Sequence, residues 1–139
     1  MTAPAPAPAA GAPASGAARA HRGLAILFLV AGLIQFFLAG LGAFGEGYDP
    51  HRIVGTLMIL IALILLILAF VGRREALQAS AILFGLMILQ SLLAVLGAES
   101  SAFIGGLHAV NALLILFAAS MAAAGRTVSA GAVSGRGHG

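Results

Sequence analysis

Two histidines are the side chains in this sequence with the strongest potential for chemistry. His51 stands at the start of one long apolar stretch, and His108 stands a few residues inside another. Neutral imidazole is a good ligand for haem iron, and a porphyrin is a large apolar plate that suits a bundle of helices. The pair therefore suggests haem b, with its iron held between His51 and His108.

Few other polar groups accompany these histidines. Gln35 and Gln90 interrupt apolar stretches, and Asn111 follows His108 by three residues, on the same helical face. Polar groups within hydrocarbon are costly unless they are paired, so we expect all three to face the interior of the protein. Imidazoles that bind a metal need hydrogen-bond partners that fix their tautomers, and Asp49, Gln90 and Asn111 are the nearest candidates.

The two histidines also fit roles that need no haem. His51 could lie at the membrane surface and bond to lipid head groups or loop carbonyls. His108 could form an interhelical hydrogen bond with Gln35, Gln90 or Asn111. A proton or small-ion site is a third alternative, since ionisable groups within membranes often mark such sites.

Composition shows which elements must position these residues. The chain is 61% hydrophobic and 8% charged, far more apolar than an ordinary soluble domain. Stretches of about 20 apolar residues are long enough to cross a bilayer as helices. The sequence predicts an all-α membrane protein with four transmembrane helices in an antiparallel bundle, spanning residues 23–44, 53–72, 76–97 and 103–124.

The segments outside this transmembrane domain (residues 23–124) have a different composition. Residues 1–22 are rich in Ala and Pro, and residues 125–139 are rich in Gly and Ser. Neither segment has the periodicity that would build a packed core, so both are predicted to be disordered tails. His21 and His138 fall in these tails and are assigned no role.

The distribution of charge predicts an orientation. If the N-terminus is cytoplasmic, six arginines lie on the cytoplasmic side and only Arg52 lies outside, together with three acidic residues. Such a bias follows the positive-inside rule and accounts for the net charge of +3 without a nucleic-acid partner. All basic residues are Arg, and Ala and Gly are abundant, which favours a bacterial source. We therefore expect a multi-pass protein of the bacterial inner membrane with both termini in the cytoplasm.

The sequence also contains a weak internal repeat. Residues 35–43 (QFFLAGLGA) and 90–98 (QSLLAVLGA) share six of nine positions, and each begins with Gln. Each segment is followed by a loop and then by a histidine, at a spacing of 16 residues in the first case and 18 in the second. This pattern predicts two similar helical hairpins related by a pseudo-two-fold axis along the membrane normal.

Two short motifs resemble the haem A synthase family. The segment Asp49-Pro50-His51-Arg52 is similar to the start of a helix in which that family has a His-Arg pair after an acidic residue. Residues 107–112 (LHAVNA) resemble the family's second histidine-bearing helix. Members typically contain two tandem four-helix halves, and this chain would correspond to one half over residues 23–124. The resemblance implies that His51 and His108 are haem ligands and that Asp49 is the matching carboxylate.

The chain also departs from that family. It is half the size, has no cysteine, and carries its acidic residue closer to the histidine. Small four-span bacterial membrane proteins are similar in size. The sequence contains no hydrolase or transferase motif, so we expect haem binding for electron transfer or haem handling rather than synthase activity. The rival hypothesis is an accessory subunit without a cofactor, packed in a larger membrane complex or homo-oligomer. Transport is disfavoured, because no acidic residue falls within a span.

Overall fold

The computed structural model describes residues 15–126, and this part of the chain is almost entirely helical. Four long helices follow one another: α1 (Gly16–Leu41), α2 (Asp49–Gly72), α3 (Leu77–Glu99) and α4 (Ala102–Ala124). A π turn (Gly42–Glu46) extends α1, and a 3-10 turn (Arg74–Ala76) precedes α3. Each helix is long and apolar enough to cross a membrane. The predicted fold class is confirmed: the chain is a multi-pass membrane protein built as an antiparallel four-helix bundle.

The first helix begins earlier than predicted. Residues 16–22 are helical, so the prediction that the disordered tail extends to residue 22 is wrong for this part. The Ser15 side chain accepts a hydrogen bond from the Ala18 backbone N–H and caps the helix. His21 is fully buried rather than part of a flexible tail. Residues 1–14 and 127–139, including His138, lie outside the described residues.

The connection between α1 and α2 depends on two glycines. Gly45 and Gly47 have positive φ angles of 103° and 82°, which residues with a Cβ atom rarely adopt. Helix α2 then begins at Asp49, with Pro50 in its first turn and no side chain capping the end. The Asp49 side chain therefore does not cap this helix. Its carboxylate lies within the first turn, where it interacts favourably with the helix dipole.

The two halves of the bundle are packed differently. We call the end that carries the α1–α2 and α3–α4 connections the loop end, and the end near Ser15 and Gly125 the terminal end. Every buried residue of the four helices lies near the middle of the bundle or toward the terminal end, where Phe28, Leu65 and Leu83 are fully buried. Closer to the loop end, no helical residue reaches that degree of burial. The hairpins therefore pack closely at the terminal end and diverge toward the loop end.

A cluster of polar side chains closes the terminal end. Arg73 follows α2 and is 8% exposed. Its guanidinium donates hydrogen bonds to His21 Nδ1 at 3.0 Å and to the Ala122 and Ala123 carbonyls at 3.2 and 3.1 Å. Arginine can only donate, so His21 Nδ1 accepts and its Nε2–H donates to Ser80 Oγ at 2.9 Å. This cluster connects α1, α3 and α4 with the α2–α3 turn.

Helices α3 and α4 approach each other closely near the loop end. A Cβ atom on Gly97 would lie 2.7 Å from the backbone N and Cα atoms of Gly105. Small residues allow helix backbones to come this close within a membrane. Gly85 belongs to the same helix as Gly97, but a Cβ atom there would meet nothing within 4 Å. Of these two glycines, only Gly97 is therefore required by packing.

We expect Gly97→Ala to destabilise the bundle by about 1–3 kcal/mol, because backbone atoms cannot move aside as a flexible side chain would. Gly85→Ala is the matched control, and it should be neutral or stabilising by about 0.5–1 kcal/mol, since Ala is the better helix former. Equilibrium unfolding in mixed micelles with increasing SDS measures both effects. Equal stability of the two variants would contradict the close backbone contact.

Candidate functional site

A cavity of about 800 Å³ lies between the diverging hairpins in the loop half. All four helices line it, and Met58, Met87 and Ile115 lie on the side toward the tightly packed half. Its volume falls within the roughly 300–1,000 Å³ that is typical of sites for small molecules and cofactors. Most of its lining is apolar, and its polar side chains include both histidines that the sequence singled out.

His51 and His108 come together across this cavity. They lie on α2 and α4, yet their ring centroids are 6.1 Å apart, with an angle of 59° between the ring planes. Two imidazoles on one iron would have ring centres about 6 Å apart, since each metal–nitrogen bond is about 2 Å and each ring centre lies about 1 Å beyond its nitrogen. The observed separation fits that requirement. Both side chains are half-buried.

The two rings are held by equivalent hydrogen bonds within their own hairpins. His51 Nδ1 lies 3.2 Å from the Gln35 backbone carbonyl, and His108 Nδ1 lies 3.1 Å from the Gln90 carbonyl. A carbonyl oxygen can only accept, so both histidines carry their proton on Nδ1. In each neutral ring, Nε2 is then the unprotonated nitrogen, whose lone pair can accept a hydrogen bond or bind a metal. Metal-binding histidines are commonly oriented in this way, by a backbone carbonyl that accepts from the other ring nitrogen.

The side chains of the two glutamines differ. Gln35 Nε2 donates to the His51 backbone carbonyl at 3.0 Å and does not contact the ring. Gln90 Nε2 lies 3.0 Å from His108 Nε2, to which it donates. Asn111 Nδ2 holds the Gln90 carboxamide in this orientation through a bond of 2.7 Å to Gln90 Oε1. His108 is therefore bonded at both nitrogens, while His51 Nε2 has no hydrogen-bond partner within residues 15–126.

Asp49 does not join this group. Its side chain is 89% exposed, and its nearest charged partner is Arg52, at 4.0 Å. Tyr48 contacts His51 instead, with the rings edge-on and their centroids 6.4 Å apart. Gly42 makes room for the tyrosine, because a Cβ atom there would overlap the Tyr48 ring. Sequence reasoning missed Tyr48, although its position three residues before His51 was a usable signal.

Two buried oxygen atoms near the site lack partners within the described residues. They are Gln35 Oε1 and Asn111 Oδ1. Unpaired buried acceptors are uncommon in proteins and are often satisfied by water or a ligand. Among the described residues, no group of three or more His, Asp or Glu side chains could hold a metal ion. Glu99, Met58 and Met87 also line the cavity, but the two imidazoles are the donors whose rings approach each other across it.

The small residues divide into two groups. Gly32, Gly55 and Gly105 line the cavity. A Cβ atom on Gly55 would lie 2.9 Å from Gln35 Nε2, so this glycine leaves space for the carboxamide that holds the His51 backbone. Gly40 and Gly106 have no atom within 4 Å of such a Cβ, so packing does not require them.

Comparisons with known proteins give a partial match to one family and no activity. Residues 35–98, less than half of the chain, match DUF6220, a family of unknown function. The matched stretch includes Gln35, His51 and Gln90 but ends before His108. No curated protein and no solved structure matches the chain. The site must therefore be interpreted from its own chemistry.

Proposed function

We propose that this protein binds haem b between His51 and His108 and uses it for electron transfer or haem handling. The observation that carries this proposal is the approach of two Nδ1-protonated imidazoles to a centroid separation of 6.1 Å across an apolar cavity. Bound haem would supply an iron that alternates between two oxidation states. The resemblance of the His51 and His108 segments to haem A synthases agrees with this function.

The residues of the chain would perform three tasks at this site. His51 and His108 would offer Nε2 lone pairs to the iron. The Gln35 and Gln90 carbonyls would hold the two rings in the tautomer that makes those lone pairs available. Apolar side chains such as Met58 and Met87 would exclude water from the cavity. The equivalent bonds in both hairpins also support the proposed internal repeat.

The test is the visible absorption spectrum of the protein expressed with ample haem and purified in mild detergent. We expect a Soret band and the bands of a low-spin b-type haem in the wild-type protein. A preparation without a Soret band would contradict haem binding. Buffer with free haem and the same detergent is the control for haem dissolved in micelles.

A second candidate function is that of an accessory membrane subunit without a cofactor. The hydrogen bonds that His108 forms with Gln90 at both ring nitrogens favour it, because they satisfy the imidazole fully without a ligand. This function would involve a larger membrane complex or a homo-oligomer, beyond the contact of the apolar helices with the bilayer. A haem-free wild-type protein that co-purifies with a stoichiometric membrane partner would support it.

We also infer that both termini face the cytoplasm of a bacterial inner membrane. Five of the six arginines within residues 15–126 lie near the terminal end, and only Arg52 lies near the loop end. Reporter fusions test this orientation. A reporter after Arg126 should be active on the cytoplasmic side, and one inserted at Ser100 on the opposite side. A periplasmic C-terminal reporter would overturn the assignment.

A further inference from the structure

We propose that His108 is an exchangeable iron ligand and His51 a permanent one, so that the site also binds a small external ligand on the side of His108. Gln90 is the positioning residue that makes the two histidines unequal. This inference rests on the proposed haem-binding function and concerns how strongly each of the two histidines would hold the iron.

The two histidines differ at the nitrogen that would bind the iron. Gln90 Nε2 donates to His108 Nε2 at 3.0 Å, so a lone pair that would bind iron is already engaged. Gln35 Nε2 donates to the His51 backbone carbonyl instead, and the ring nitrogen of His51 keeps its lone pair. To bind iron, His108 must first lose a hydrogen bond, whereas His51 need not.

The sequence contains the cause of this difference. Asn111, three residues after His108, donates to Gln90 Oε1 at 2.7 Å and to the Leu86 carbonyl at 3.0 Å. These bonds fix the Gln90 carboxamide with its N–H groups toward the imidazole. Val54 occupies the position three residues after His51 and offers no donor. The Gln35 carboxamide is therefore not held against its histidine ring, and its Oε1 lacks a partner within the described residues.

Gln90 competes with iron for the lone pair of His108 Nε2. The bond between iron and His108 would therefore be weaker than the bond between iron and His51. Losing a buried hydrogen bond of this kind changes an equilibrium by roughly tenfold. His108 should therefore be the ligand that leaves when an external molecule approaches. Small side chains of α3 and α4, including Ala94, Ala109 and Ala112, line the cavity and leave room for a diatomic molecule. Carbon monoxide is the suitable probe, because it binds ferrous haem only at a vacant or vacated position.

One experiment needs no haem. In the haem-free protein labelled with ¹⁵N-histidine, NMR should show Nδ1–H tautomers for His51 and His108. The unprotonated Nε2 of His108 should resonate upfield of that of His51, because it accepts a hydrogen bond. Gln90→Leu should remove this difference, whereas Gln35→Leu should leave it unchanged. Both variants keep the backbone carbonyls that hold the rings. An unchanged His108 Nε2 resonance in Gln90→Leu would overturn the assigned role of Gln90.

The second experiment titrates the reduced, haem-loaded protein with carbon monoxide. Gln90→Leu should bind it roughly tenfold more weakly than the wild-type protein, because His108 then ligates more strongly. Gln35→Leu is the matched control and should stay within about twofold of wild type. His108→Ala should bind carbon monoxide more tightly, since the competing ligand is gone. If Gln90→Leu shows a Soret band but binds carbon monoxide with unchanged affinity, this inference is overturned and the proposed function is not. A wild-type protein without a Soret band would overturn the proposed function together with it.

Discussion

Replacing Arg73 with Met should lower the free energy of unfolding by about 3 kcal/mol, the largest effect that we expect from a single side chain outside the cavity. The substitution keeps an extended side chain but removes the donors to His21 Nδ1 and to the Ala122 and Ala123 carbonyls. Arg73 is 8% exposed, so solvent replaces these bonds poorly. Equilibrium unfolding in SDS-containing mixed micelles measures the loss.

Arg74→Met is the matched control, because it removes the same charge from the adjacent position of the same turn. Arg74 is exposed and stacks on Phe70, with 4.5 Å between its guanidinium carbon and the ring centroid. Such a contact contributes about 0.5–1 kcal/mol at an exposed site. Both variants alter the positive-inside signal equally, so a difference between them reports the buried hydrogen bonds together with the ion pair between Arg73 and the exposed Glu75, at 3.2 Å. Equal losses in the two variants would contradict the role of Arg73 in closing the terminal end.

Replacing His51 with Ala should weaken haem binding by about a hundredfold or more. Even partners that only orient a metal ligand contribute about ten- to a hundredfold, and His51 is the proposed permanent ligand. His108→Ala should retain more haem than His51→Ala, since iron would remain attached to His51. Haem titration of the purified variants, followed at the Soret band, measures the affinities.

His21→Gln is the control for this experiment. It removes another histidine, but at the terminal end, in the cluster with Ser80 and Arg73. This variant is expected to lose stability but to keep the haem spectrum. Unchanged haem affinity in His51→Ala, or an equal loss in His21→Gln, would show that haem binds elsewhere.

The sequence predicted the four helices well, because the length and hydropathy of a span depend on local composition alone. It also indicated that His51 and His108 lie in one region of the bundle, because each histidine follows one of two similar segments. The separation of 6.1 Å could not be predicted, since it depends on how far the hairpins diverge. The sequence also could not show which of Gln35, Gln90 and Asn111 bonds to the His108 ring, because this depends on how each helix is rotated about its axis.

The buried cluster at the terminal end was missed for a different reason. His21 lies between Arg19 and Arg22, and such charged surroundings resemble a flexible tail. The helical spacing of His21, Ala25, Phe28 and Gly32, all buried on one face of α1, was the available signal. Nothing in the sequence around Arg73 distinguishes it from Arg74. Only the three-dimensional fold separates a buried arginine from an exposed one.

The hydrogen bonds of the cavity and those of the terminal end span different distances along the sequence, and this difference affects how the protein assembles during synthesis. Both histidine–glutamine pairs link neighbouring helices, 16 and 18 residues apart, whereas Arg73 and His21 are 52 residues apart. Closing a short loop costs less entropy than closing a long one, and local contacts form sooner. Each hairpin can therefore enter the membrane with its imidazole already oriented. The bond between Arg73 and the Ala123 carbonyl, near the end of α4, can form only after the last helix has been made. The cavity thus takes its final shape at the end of biogenesis, so the proposed haem could enter between the hairpins before the bundle closes.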